Sequence, residues 1–174
     1  PPTWPPLTDR IPAPRPNTIL IAPAAHTGPS LSEEWWHDLA GYLRGIGLHP
    51  VTNVANRGRG YDQSRHPPLL AGIPGTDAVD LDLGEIGAYA AQCAGIITAR
   101  SGLSDLLAYC GAPHWVVWPE GDERHRRIWS VGRTHRRPVT ECVVPVGEAF
   151  DPRRLTGFER EIEDAPDARD VGSW

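Results

Sequence analysis

The chain has 174 residues, of which 40% are apolar and 22% charged, and its formal net charge is −5. This length suits one domain with a sizeable core, and the acidic balance argues against a general nucleic-acid binder, because such proteins carry a positive excess. No apolar run reaches the roughly 20 residues that span a bilayer. Three widely spaced cysteines, Cys93, Cys110 and Cys142, favour a reducing, cytoplasmic setting over a disulfide framework or a zinc site.

The chain begins with a segment that is too rich in proline for a helix or a central strand. Residues 1–16 contain seven prolines and predict an extended linker between domains. Residues 17–163 are predicted to form the folded domain. The acidic residues 164–174 are predicted to be a frayed tail.

Short apolar runs alternate with segments of helical periodicity throughout the predicted domain. Strands are predicted at 19–22, 49–55, 78–81, 95–99, 114–118 and, as an edge strand, 139–146. A first helix is predicted after a cap at Ser30 or Ser32 and ends near Gly45, and further helices are predicted at 84–93, 103–110 and 152–162. Residues 56–76 predict a long loop. This alternation predicts an α/β, Rossmann-like three-layer domain with a mostly parallel sheet of about five or six strands.

A polar turn joins the predicted strand at 95–99 to the next helix, with the sequence Arg100-Ser101-Gly102-Leu103-Ser104-Asp105. Ligands of open α/β sheets bind at the carboxyl ends of the strands. A Ser-Gly turn at the start of a helix lets backbone N–H groups approach a phosphate, and the Arg100 guanidinium suits a diphosphate. The structural alternative has equal weight: a serine caps the helix, Gly102 relieves the turn, and Arg100 pairs with Asp105.

Residues 83–119 resemble the carboxyl-terminal half of a GT-B glycosyltransferase. The pattern is most similar to the heptosyltransferase-like and fucosyltransferase-like branches that build bacterial surface polysaccharides. The resemblance lies in the Arg-Ser-Gly turn, the helix after it, Gly111-Ala-Pro113 and the apolar strand that ends at Pro119. Heptosyltransferases have an acidic residue where Arg100 stands and a Lys in the first loop, whereas this chain has no Lys.

The resemblance implies half of a GT-B architecture, with a nucleoside-diphosphate sugar as substrate and neither cofactor nor metal. Residues 100–105 would bind the donor diphosphate, together with His26, Thr27 and Gly28 in the loop after the first strand. The general base and the acceptor site would lie on a missing amino-terminal domain. The acceptor would be a glycan or glycolipid, reached in the cytoplasm or at the inner membrane surface.

Four further residues are candidate contacts to the donor or the acceptor: Asp82, Glu85, Glu120 and Arg124. Arg124 opens a basic run to residue 137, which serves either an anionic ligand or, as the more ordinary alternative, a solvated loop.

Two rival functions fit the same pattern. One is a stand-alone nucleotide- or sugar-binding module without catalysis. The other is a small Rossmann-like nucleoside-processing enzyme, whose acid or base would come from Asp105, Glu85 or Glu120. The sequence has no GxSxG, no GxxxxGK[ST] and no GxGxxG in a strand–turn–helix setting, which disfavours serine hydrolysis, ATP hydrolysis and dinucleotide redox chemistry.

Overall fold

The structure of the chain, a computed structural model, describes residues 11–23, 31–54, 72–121, 139–155 and 157–163. Within these ranges the strands are β1 (Thr18–Ala22), β2 (His49–Asn53), β3 (Asp77–Val79), β4 (Gly95–Ala99), β5 (His114–Pro119) and β6 (Val139–Val144). Its α-helices are α1 (Glu33–Gly45), α2 (Leu83–Ala90), α3 (Gly102–Leu107) and α4 (Phe158–Glu163), and a 3₁₀ turn spans Pro152–Arg154.

The strands form one sheet in the order β3-β2-β1-β4-β5-β6, and every neighbouring pair is parallel. The predicted Rossmann-like α/β class is therefore confirmed, with a sheet that is wholly rather than mostly parallel. The strand order reverses between β1 and β4, because the chain leaves β1 towards β2 and leaves β4 towards β5. In such sheets this reversal opens a ligand crevice at the carboxyl edge.

Two apolar layers cover the sheet, as the near-continuous apolar strands predict. On the first face, Trp35, Trp36 and Leu39 of α1 pack with Trp115 of β5 and Phe158 of α4. On the second face, α2 and α3 pack on alternate strand residues. The buried members of this second cluster are Leu20, Val51, Leu81, Ile86, Tyr89, Ala90, Cys93, Ile96, Leu107 and Ala112.

The prediction of one continuous helix at 152–162 is wrong. Asp151 caps a single 3₁₀ turn by accepting the N–H of Arg153 at 3.0 Å. Gly157 then adopts a φ of +73°, a left-handed conformation that interrupts a helix, and α4 begins at Phe158. Glycine thus divides the predicted helix into two short pieces.

Other boundaries move by a few residues. Ser32, not Ser30, caps α1, and its Oγ accepts the Trp35 N–H. The predicted strand at 78–81 shortens to β3, and Leu81 instead enters the second apolar layer. Within the segment predicted as a linker, Ile11 packs against that same layer, so at least this residue is held by the domain.

Candidate functional site

The carboxyl ends of the parallel strands bring the sequence-predicted residues to one edge of the sheet. Arg100 follows β4 directly, Glu120 follows the neighbouring β5, and Asp82 lies three residues beyond β3. His26, Thr27, Gly28 and Arg124 lie outside the described residues. The sheet therefore groups Arg100 and Glu120 on adjacent strands, beside the reversal between β1 and β4.

The Arg100 side chain folds back onto the first turn of α3 and is only 6% exposed. Its Nη1 donates to the carbonyl oxygen of Ser101 at 2.9 Å and to Ser104 Oγ at 3.1 Å. Nη1 also lies 3.0 Å from Asp105 Oδ1. The ion pair is the one that the structural alternative from the sequence describes, and the guanidinium does not extend into open solvent.

Two serines fix this turn by a reciprocal capping box. The Ser104 N–H donates to Ser101 Oγ at 3.4 Å, while the Ser101 N–H donates to Ser104 Oγ at 3.0 Å. Ser104 Oγ also donates to the Ser101 carbonyl oxygen at 2.6 Å, and Ser104 is fully buried. This arrangement satisfies backbone groups that a helix start otherwise leaves unpaired, and it holds the acceptors of Arg100 in place.

Gly102 and Leu103 differ in what they offer a ligand. Gly102 is exposed, and a Cβ added there would meet no atom within 4 Å. Leu103 is half-buried and packs against the second apolar layer. Gly102 is therefore the open position of the turn, while Leu103 helps to anchor α3.

Asp82 and Glu85 form a second capping box, at the start of α2. Asp82 Oδ1 accepts the N–H groups of Gly84 and Glu85 at 2.9 Å, and Glu85 Oε2 accepts the Asp82 N–H at 3.0 Å. The structure thus gives both carboxylates a capping role at the start of α2.

Glu120 is exposed where β5 ends, and its N–H donates to the Val144 carbonyl oxygen at 2.7 Å. The backbone is fixed by β6, while the carboxylate faces solvent beside the Arg100 strand. Among the candidate carboxylates in the described residues, Glu120 and Asp105 both combine exposure with a place beside Arg100, and Asp105 is the one paired with it.

Sequence reasoning missed two polar contacts that shape the sheet around the site. Asn53 Oδ1, at the end of β2, accepts the Leu81 N–H at 3.2 Å and so fixes the approach to α2. Thr98 Oγ1 lies 2.9 Å from His114 Nε2, and both residues are buried. A polar residue within or at the end of an apolar strand was the available signal in each case.

Outside this edge, a groove of about 690 Å³ lies between α1 and α4, with Tyr42 and Phe158 among its lining residues. The Tyr42 hydroxyl donates to Glu159 Oε1 at 2.6 Å across it. No helix in the described part of the chain is both long and apolar enough to cross a membrane. Within those same residues, no cluster of three metal-ligating side chains occurs.

The sheet and the residues at its carboxyl edge define a Rossmann-like α/β domain with a charged turn beside the strand-order reversal, and solved structures place this fold among the GT-B glycosyltransferases. ADP-heptose lps heptosyltransferase II from E. coli matches 84% of this chain over 46% of its own length, with a TM-score of 0.58 and 16% identity. E. coli heptosyltransferase WaaC with ADP matches 86% over 45% (TM-score 0.56, 19% identity). A glycosyl transferase family 9 protein from Veillonella parvula matches 88% over 40% (TM-score 0.52, 12% identity).

The chain therefore spans less than half the length of these solved structures, and its fold is one Rossmann-like half of a GT-B architecture. The resemblance to heptosyltransferases expected from the sequence is confirmed at the level of the fold. No protein-family model and no curated protein matches it.

Proposed function

We propose that this chain is the donor-binding, carboxyl-terminal half of a glycosyltransferase that uses a nucleoside-diphosphate sugar. The placement of Arg100 carries the proposal, because a buried cation stands beside the strand-order reversal of a fold shared with heptosyltransferases. One of those neighbours is described with ADP, a nucleoside diphosphate. The proposed ligand of the Arg100 turn is the donor diphosphate.

In the proposed reaction, an acceptor oxygen bonds to the anomeric carbon of the sugar as the bond from that carbon to the diphosphate oxygen breaks. The nucleoside diphosphate leaves with the electron pair, and the acceptor proton passes to a base on the other half of the enzyme. Negative charge grows on the leaving oxygen. A fixed guanidinium such as Arg100 stabilises that charge at little reorganisation cost. Glu120 would contact hydroxyl groups of the donor.

The proposed setting follows from the same resemblance. An amino-terminal domain would supply the acceptor site, and the acceptor would be a glycan or glycolipid at the cytoplasmic side of a membrane. His26, Thr27 and Gly28 would complete the diphosphate site from the loop after β1, and Arg124 would contribute charge. The chain itself would bind donor and would not turn over.

Isothermal titration of the chain with ADP, GDP and UDP, alongside thermal shift, tests donor binding directly. Weak binding of at least one nucleotide is expected, since only one side of the cleft is present. Arg100→Ala should weaken that binding by roughly 10- to 150-fold, because hydrogen bonds to a charged partner contribute about 1.5–3 kcal/mol.

Arg44→Ala is the matched control for Arg100→Ala. Arg44 lies in the last turn of α1, at the opposite edge of the sheet, where its guanidinium covers Gly75. The control removes the same charge and should leave nucleotide affinity unchanged. The absence of both binding heat and a thermal shift with all three nucleotides would contradict the proposal. So would a loss of stability in Arg100→Ala without a loss of affinity.

A further inference from the structure

The Arg100 Nη1 atom has more acceptors around it than it has hydrogens. A guanidinium terminal nitrogen carries two N–H groups, whereas the Ser101 carbonyl oxygen, Ser104 Oγ and Asp105 Oδ1 all lie within 3.1 Å of it. A phosphate oxygen that binds Nη1 would therefore compete with these three acceptors.

The three acceptors differ in how easily they can move. The Ser101 carbonyl and the Ser104 hydroxyl are bound to each other within the capping box, and Ser104 is fully buried. The Asp105 side chain is 43% exposed and carries the negative charge of the set. The Asp105 carboxylate can rotate into water, and an incoming phosphate would then replace its negative charge beside Arg100.

The buried charge of Arg100 explains why the Asp105 carboxylate lies beside it. Arg100 is buried, and a buried cation without an anionic partner is strongly unfavourable. We propose that Asp105 is an internal counter-ion, which neutralises Arg100 in the empty domain and is displaced by the donor diphosphate. The inference rests on the proposed function. It makes Asp105 a positioning residue that sets donor affinity through Arg100.

This competition has a chemical signature. Removal of the Asp105 charge should raise the affinity for ligands that carry a phosphate and should leave the affinity for neutral ligands unchanged. Asp105→Asn keeps the size of the side chain and removes its charge. It should raise the affinity for ADP by about two- to fivefold, as the loss of a partly exposed ion pair implies. Any affinity for adenosine should stay the same.

The experiment is isothermal titration of the whole chain with ADP and with adenosine, with melting temperature measured in parallel. Asp151→Asn is the control, because Asp151 also pairs with an arginine, Arg153 at 2.8 Å, away from the site. That control should leave ADP affinity unchanged. In the double variant Arg100→Ala with Asp105→Asn, the gain should vanish. If Asp105→Asn does not fold, Asp105→Ser removes the same charge.

The results separate the two proposals. Tighter ADP binding in Asp105→Asn that depends on Arg100 supports the counter-ion. Equal or weaker ADP binding in that variant, while the parent chain binds ADP, overturns the counter-ion and leaves the proposed function intact. A gain for adenosine as large as the gain for ADP also overturns it. If neither the parent nor any variant binds ADP, GDP or UDP, both proposals fail.

Discussion

At the scale of single residues, Gly95 shows how closely the first face of the sheet is packed. A Cβ added at Gly95 would lie 2.8 Å from Ile162 Cδ1 and 3.1 Å from Trp115 Cζ3. The Ile162 terminus can shift, but the Trp115 ring is fully buried. Gly95→Ala should therefore lower the free energy of unfolding by about 1–3 kcal/mol, as overpacking does, when measured by urea titration.

Gly102 supplies the contrasting substitution. It stands at the first position of α3 with open space around it, so Gly102→Ala should be neutral or stabilise by up to about 1 kcal/mol. Equal losses in the two variants would contradict the packing described for β4. If Gly102→Ala weakens ADP binding while it keeps stability, the ligand backbone contact proposed for this turn is supported.

At the scale of elements, the capping box at α2 separates a structural carboxylate from a ligand contact. Asp82→Ala removes the acceptor of two backbone N–H groups, and loss of an N-cap costs about 0.5–2 kcal/mol. The melting temperature should fall, while nucleotide affinity should not change. Asp82→Asn retains the cap and should restore stability. A loss of affinity in a stable Asp82→Asn protein would instead place Asp82 at the donor.

The helices and strands also show which parts of the fold can be predicted from sequence patterns. The bounds of β4 match its predicted range, because a short run that begins at Gly95, contains two isoleucines and ends at a polar turn is typical of a buried strand. The helix predicted at 152–162 failed because the apolar pattern continues through Gly157, whereas the backbone there turns left-handed. At the candidate site, the predicted bounds of β4 and β5 suffice to put Arg100 and Glu120 just after two strands, which the structure makes neighbours. The capping roles of Asp82 and Glu85 depend on local geometry, which side-chain type alone does not distinguish from ligand contact.

At the scale of the whole molecule, burial on the second face predicts a loss of stability in alkali. Burial raises the pKa of Cys110 to about 11 and that of Tyr89 to about 12, and it raises the pKa of Cys93 still further. Between the unfolded and the folded pKa values, these groups therefore stay protonated in the folded state and lose their protons in the unfolded state. The stabilisation is fully present below pH 9 and declines as pH rises above it.

Urea titrations at pH 8 and pH 10.5 under reducing conditions measure this decline. Cys93 should contribute up to about 1.4 kcal/mol per pH unit above the pKa of the unfolded thiol. Cys93→Ala should therefore show a shallower decline than the parent chain. Tyr89 is still present in this variant, so the difference from the parent chain measures the contribution of the Cys93 thiol. An unchanged decline in Cys93→Ala would mean that the thiol is not held protonated by burial.

Two buried cysteines on opposite faces of the sheet test whether its layers unfold together. Cys142 packs in the first layer with α1 and α4, while Cys93 packs in the second with α2. Both layers rest on the same six strands, so the loss of either exposes the sheet that supports the other, and small domains usually unfold in one step. Alkylation of both thiols, followed by mass spectrometry, should be slow in the native protein and should rise at the same urea concentration. Earlier exposure of Cys93 alone would show that the layer carrying the Arg100 turn opens by itself.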